Sequence, residues 1–316
     1  MQLSCKYRVL FHVIIFIYIR KSYKESNEKI FMDKIDVCIN IYGKPWQTLC
    51  TLKSLIKHSG HLIDKIYVIK ELEQPYNENI DWIFNYFDNI EIYTPNKYTF
   101  IKGKVNVYDY YDMLNVRYQY GIYKTDKKFL FITHNDVLYE EDIIGNMINS
   151  MGDAVGIGEI GQCWNCPLFE EKICSGDKLE ENYQKKYKYE DIVSIVNKYP
   201  EKRTYYQSRK YISKENPFPM TECRLNEWAC LLNVIKLKKE NYPYGKIPYF
   251  GLYKGVDLGS GWFREMFLKG YKFIDYRKGF IHGYWANSHG YEAQLKQESY
   301  TQSEENAKMY FEEHFR

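Results

Sequence analysis

From residue 35 onward, short apolar runs alternate with longer stretches of helical spacing. Ile35 to Tyr42 reads as a strand, Gly43-Lys44-Pro45 breaks it, and Trp46 to His58 places Trp46, Leu49, Leu52, Leu55 and Ile56 on one helical face. Lys65 to Ile69 predicts a second strand, Ile80 to Phe87 a helix-like stretch, Ile90 to Tyr93 a third strand and Val107 to Tyr123 a further helix. That helix delivers the chain into an apolar run from Lys128 that ends abruptly in His134, Asn135 and Asp136. The alternation predicts an α/β fold with a mostly parallel central sheet flanked by helices. A carboxylate leaving such a strand sits where open sheets bind ligands, which makes Asp136 a candidate for holding a metal ion or a nucleotide. Asn and Asp are also common turn residues, so the alternative is a strand that simply ends in a turn.

The second half carries further candidates. Gly255-Val-Asp257 leads into a stretch of helical spacing that ends at Gly270-Tyr-Lys-Phe273. A carboxylate at a helix start is stabilised as an anion and can accept the proton of an incoming hydroxyl, so Asp257 is the candidate general base; a plain N-cap is the alternative. Gly279 to Trp285 places His282 at the end of another short apolar run, with His289 as a competitor for any role as a ligand. Glu222 and Glu227 precede the apolar run Trp228 to Ile235 and read as a strand edge in preference to an acceptor contact.

Cys163-Trp-Asn-Cys166 is a C-x2-C knuckle, and with Cys174 and Cys223 it offers four thiols to one tetrahedral Zn²⁺. A second C-x2-C pair is missing, and small buried hydrophobes are the alternative. The segment between 163 and 223 is an insertion: Lys178 to Lys198 reads as one or two polar helices, and Pro200 to Asn216 as a loop rich in Arg, Lys and Tyr.

Composition narrows the classes. The chain has 316 residues, 44 Lys and Arg against 41 Asp and Glu, and a net charge of +3, so it lacks the global basic field of nucleic-acid binders and no nucleic acid is expected as a partner. Val9 to Ile19 is strongly apolar but shorter than the roughly 20 residues a bilayer-spanning helix needs, and no small-residue cleavage site follows it. We read residues 1–31 as an upstream extension, with Met32 as the functional start; a membrane-associated N-terminus is the alternative. No linker forces a split, so residues 32–316 are expected to form one domain, with 32–150 as its nucleotide-binding half and 151–316 as its acceptor half.

In order and spacing these motifs resemble the family-two type of GT-A glycosyltransferases, over about residues 35 to 290. The turn Asn40-Ile-Tyr42-Gly43-Lys-Pro45 matches the turn after the family's first strand, with Asn40 where the family has Pro. Lys70-Glu71 stands where an acidic pair contacts the nucleoside, so Glu71 alone keeps the charge. Asn115-Val-Arg117-Tyr-Gln-Tyr-Gly121 resembles the helix before the metal strand, and His134-Asn135-Asp136 stands for the Asp-x-Asp motif with only its last Asp.

The resemblance implies a GT-A, Rossmann-like fold with the Cys-containing insertion on the acceptor side. It also implies an inverting transfer from a nucleotide-diphosphate sugar, a UDP-sugar first among candidates, to a glycan or lipid-linked acceptor. Tyr42, Glu71, Arg117, Asn135 and Asp136 would hold the donor, Asp136 and His282 would ligate Mn²⁺ or Mg²⁺, and Asp257 would be the base. Trp262 and Trp285 are candidates to stack on a sugar ring, with ordinary packing as the alternative. A cytoplasmic protein is expected, at most peripheral to the inner face of a membrane. Two other readings remain: a catalytically degenerate relative that binds a nucleotide or a partner, and a sugar nucleotidyltransferase.

Overall fold

The strand Ile35–Ile41 (β1) is buried at every position, as a central strand covered on both faces must be. In the computed structural model, which describes residues 34–97, 109–202, 205, 211–251, 256–285 and 296–316, β1 leads through Gly43 and Lys44 into the helix Pro45–Ser59 (α1). The extension 1–31 and His289 lie outside the described residues. Both loop residues are left-handed, with φ of 64° at Gly43 and 59° at Lys44. At Gly43 a side chain would also strike Pro75 and the Tyr300 hydroxyl, so glycine is required there.

Strands Ile63–Lys70 (β2) and Ile90–Tyr93 (β3) extend the sheet on one side of β1, all parallel. The stretch between β2 and β3 that reads as helix-like is a 3₁₀ segment, Asp81–Tyr86. The next prediction, one helix over Val107 to Tyr123, is corrected: its described part is two short helices, Tyr110–Leu114 (α2) and Gln119–Lys124 (α3). Two local causes break it. The Asn115 side chain donates to the Tyr111 carbonyl, and Tyr118 turns left-handed with φ of 63° so that its ring packs, fully buried, against Phe250. The helix α3 then lies so close to β1 that a Cβ on Gly121 would meet Cys38 Sγ at 2.6 Å.

The strand Phe129–Thr133 (β4) returns to the other side of β1 and pairs with it in parallel. After it come a short strand Val137–Tyr139 (β5), the helix Ile143–Met151 (α4) and the strand Gly156–Ile160 (β6). The insertion contributes helices Pro167–Glu170 (α5), Leu179–Gln184 (α6) and Tyr189–Asn197 (α7). The strand Leu225–Asn233 (β7) follows, then helices Val234–Glu240 (α8) and Ser260–Leu268 (α9). Strands Phe273–Asp275 (β8) and Phe280–His282 (β9) and the helix Gln297–His314 (α10) complete the chain.

The seven-strand order is β3-β2-β1-β4-β7-β6-β8, with β7 antiparallel to both neighbours. The expectation of a strand edge at Glu227 is therefore corrected: β7 is central and all nine residues are buried. Because the chain leaves β1 toward β2 and β3 and later crosses back to β4, the topological switch point lies between the carboxyl ends of β1 and β4. Open sheets bind ligands in the crevice formed there.

Candidate active site

The crevice at the switch point is lined by the two loops that sequence reading singled out. Behind β1, Lys44 begins α1 without a side-chain cap; the free N–H groups of the first turn are served instead by α10. Glu304 accepts from Trp46 N at 2.7 Å and from Gln47 N at 3.4 Å, and the Tyr300 hydroxyl accepts from Lys44 N at 2.7 Å. Behind β4, Asn135 donates to the Gly43 carbonyl (2.9 Å) and to Thr48 Oγ1 (3.1 Å), which ties the two loops together. Asn135, expected to contact a nucleotide, here clamps the backbone. Glu71 is buried and accepts from Asn40 Nδ2 at 3.2 Å at the ends of β2 and β1. Tyr42 is half-buried in the β1 loop, and the Arg117 carbonyl packs against Gly251.

Asp136 sits at the centre of the crevice and is only 3% exposed. Its Oδ2 pairs with Lys44 Nζ at 2.7 Å. Its Oδ1 faces two imidazoles, His282 Nε2 at 3.4 Å and His134 Nδ1 at 3.9 Å. His282 arrives because β9 pairs antiparallel with β5, in a register that sets it opposite Val137. His134 is fixed by its backbone N–H, which donates to the Trp228 carbonyl on β7. Burial by itself would raise the Asp136 pKa, but Lys44 foremost, then His282 and His134, holds the carboxyl well below the usual range.

A chain of charges runs from this centre to Asp257. Glu227 Oε1 lies 3.5 Å from His134 Nε2, Glu227 Oε2 pairs with Arg224 Nη1 at 3.0 Å, and Arg224 Nη2 lies 3.5 Å from Asp257 Oδ2. Burial alone would raise the Glu227 pKa; Arg224 and His134 reverse that and keep it an anion. Burial lowers the His134 pKa, with Glu227 opposing, so its neutral form is favoured. With Glu227 beside Nε2, the neutral tautomer carries its proton there and turns the Nδ1 lone pair toward Asp136 and His282. Asp257 does not cap α9; Gly259 occupies that position, and the Asp257 Oδ1 accepts from Leu258 N at 2.9 Å. Arg224 also donates to the Leu258 carbonyl, which fixes this loop to β7.

His134, Asp136 and His282 bring one donor atom each within 4.8 Å of one another. The two ring nitrogens that face each other, His134 Nδ1 and His282 Nε2, are 3.3 Å apart. A sealed carboxylate oxygen without a strong hydrogen bond, flanked by two imidazoles of which one is backed by a carboxylate, fits a divalent cation. The four cysteines form no such tight cluster among the described residues. All four are unbridged, Cys166 and Cys223 belong to the apolar core, and Cys174 packs against it. Burial, then the neighbouring Cys174, Cys166 and Cys163, pushes the Cys223 thiol well up.

The tryptophans differ from expectation as well. Trp262 and Trp285 are buried, Trp262 with its Nε1 donating to Asn241, so both serve packing. The aromatic beside the site is Trp228, stacked on His282 with ring centroids 4.7 Å apart and 12° between planes. Sequence reading missed Lys44 and Arg224 and named Glu227 without this role. Lys44 left a trace, since a residue before proline is disfavoured in the right-handed helical region and tends to turn some other way.

The architecture is a mixed α/β fold with a mostly parallel seven-strand sheet flanked by helices. No family model and no curated protein matches the chain. Among solved structures, the mannosyltransferase PcManGT from Pyrobaculum calidifontis, in complex with GDP-Man and Mn²⁺, is 8% identical over 91% of this chain and 70% of its own, with a TM-score of 0.46. The galactosyltransferase LgtC, in complex with donor and acceptor sugar analogs, is 13% identical over 66% of this chain and 60% of its own, with a TM-score of 0.36. Residues 1–349 of S. aureus TarS are 9% identical over 40% of this chain and 35% of their own, with a TM-score of 0.28. Likenesses this distant leave the activity of the chain to be read from its own site. Among the described residues no helix is long and apolar enough to cross a membrane.

Proposed function

We propose that the chain is an inverting glycosyltransferase that moves a sugar from a nucleotide-diphosphate donor to an acceptor hydroxyl. The observation that carries the reading is the convergence of His134, Asp136 and His282 at the switch point, with Asp257 joined to them through Arg224 and Glu227. A crevice at the carboxyl ends of parallel strands suits a nucleotide, and the motif order along the sequence agrees with that use. Tyr42, Glu71 and Arg117 are the residues we assign to the nucleoside side of the crevice. Asn135 acts there by holding the loop that carries Lys44.

In the proposed chemistry a divalent cation, Mn²⁺ or Mg²⁺, held by Asp136, His282 and His134, would supply positive charge against the donor's diphosphate. The residues do the rest. Lys44 neutralises one oxygen of Asp136 and leaves the other facing the imidazoles. Glu227 fixes the tautomer of His134. Asp257, oriented by Arg224, takes the acceptor proton as the hydroxyl attacks the anomeric carbon from the face opposite the leaving group, which inverts its configuration. The acceptor class, a glycan or a lipid-linked glycan, follows from the sequence resemblance and from the open face described below.

The test is a thermal-shift screen of residues 32–316 against UDP, GDP and CDP and their sugar conjugates, with and without Mn²⁺. A ligand at about 100 times its Kd adds roughly 2.7 kcal/mol, enough to move the midpoint by a few degrees. A shift with one nucleotide that grows with the metal supports the reading. No shift with any of them sinks it.

A further inference from the structure

The C-x2-C knuckle has no part in the chemistry proposed above, yet it lies beside the site. Its central residue, Trp164, is 49% exposed, a large apolar ring left half in water. The ring is stacked on Trp228, with centroids 6.2 Å apart and 24° between planes, and Trp228 is stacked in turn on His282. A stair of three flat rings therefore runs from the carboxylate of Asp136 to the protein surface, and its last step has an open edge.

The turn that carries Trp164 is pinned. Asn165 N donates to the Gln162 carbonyl, Cys166 N to the Cys163 carbonyl, and Lys202 Nζ to the Trp164 carbonyl at 2.8 Å while also pairing with Glu170. A half-exposed indole on a fixed turn costs little further ordering when something binds to it. Beside the stair stand planar polar groups. Glu159 accepts from Trp228 Nε1 at 3.2 Å and from Arg277 Nη1 at 3.1 Å, and the Arg277 guanidinium is itself partly exposed.

We infer that Trp164 is the platform on which a ring of the acceptor glycan lies, with Arg277 and Glu159 as the polar groups that read its hydroxyls. A pyranose presents one face of C–H groups and a rim of hydroxyls. A flat apolar ring stacked on Trp228, whose Nε1 donates to a carboxylate paired with a guanidinium, matches both. The direction of the stair matches too, since it leads from the surface toward the centre where the donor would sit. The inference rests on the transferase reading for the word acceptor, whereas the sugar contact rests on the rings alone.

The experiment measures binding of the full chain to a printed panel of defined oligosaccharides built from glucose, galactose, mannose, rhamnose and N-acetylglucosamine. Wild type, Trp164→Ala and Trp164→Phe are compared, each checked first for an unchanged melting curve. The wild type should bind at least one glycan. Trp164→Ala should bind it about tenfold more weakly, the size of one lost stacking contact, while Trp164→Phe keeps most of the affinity. A wild type that binds no member of the panel, or a Trp164→Ala variant that binds as well as wild type, overturns the inference. Nucleotide binding separates the two readings: a nucleotide shift without Trp164-dependent glycan binding sinks the platform alone. Glycan binding that needs Trp164 but comes with no nucleotide shift sinks the transferase and leaves the platform standing.

Discussion

Replacing Lys44 by Met tests the electrostatic centre of the site most directly. Lys44 and Asp136 are each 3% exposed, and their atoms meet at 2.7 Å. Removing one partner of a buried pair leaves an uncompensated charge and costs about 3–5 kcal/mol. The unfolding entropy, about 2.1 cal/mol/K per residue over residues 34–316, turns that into a fall in Tm of roughly 5–8 °C. The loss should depend on pH. In the wild type, the depressed pKa of Asp136 contributes stability that is complete above the unfolded value and lost only in acid. Without Lys44, burial is opposed by the imidazoles alone, so the carboxyl binds its proton more tightly and the deficit of the variant widens from pH 5 to pH 8. Urea unfolding at both pH values measures it. The double variant Lys44→Met, Asp136→Asn should recover at least about 1 kcal/mol relative to additivity, because the two residues are in contact. Added Mn²⁺ should stabilise Lys44→Met more than wild type, since the ion replaces a missing charge. A single variant within about 1 kcal/mol of wild type at pH 8, or an additive cycle, would refute the reasoning.

Other outcomes follow from the same geometry. Burial pushes Glu304 up to about 7, although Trp46 and Gln47 donate to it. The folded state thus holds the proton more tightly than the unfolded one, and stability should fall as pH rises from about 4.5 to 7; Glu304→Gln should flatten that slope in urea titrations across the range. Asp257→Asn should reduce sugar transfer by a factor of about 10²–10⁴ while nucleotide-induced thermal shifts stay within error; activity that survives would remove Asp257 as the base. Glu227→Gln should weaken Mn²⁺ affinity by about 10–100-fold in calorimetric titration, because the carboxylate behind a ligating imidazole sets its tautomer. Unchanged affinity would leave His134 outside the metal shell.

The layered sheet was legible because strands buried on both faces leave mostly apolar runs, as in Ile35–Ile41, interrupted by Asp36 and Asn40, and Phe129–Thr133. Asp136 and His282 were legible because each ends such a run in a chemically distinct side chain. What could not be read was pairing across the chain. Lys44 meets Asp136 over a separation of 92 positions, and no local pattern announces it. Glu227 read as a strand edge before an apolar run, and only the antiparallel docking of β7 between β4 and β6 turns it inward toward His134. The break at Tyr118 was hidden because the residues around it have ordinary helical spacing; the tertiary contact with Phe250 decides it.

The C-terminal helix has a consequence for when the site comes into being. Its Tyr300 and Glu304 hold Lys44 and Trp46 across 256 and 258 positions of sequence. A left-handed turn at a non-glycine residue costs roughly 1–2 kcal/mol, which the local sequence alone does not repay. Contacts of such long range are rewarded only after the intervening chain has been ordered. A growing chain can therefore lay down β1, β2 and β4 long before it owns a finished crevice, and the centre is completed only when a helix more than 250 positions after Lys44 has been made. Docking of α10 is then what fixes the loop that carries Lys44, from a segment more than 250 positions away.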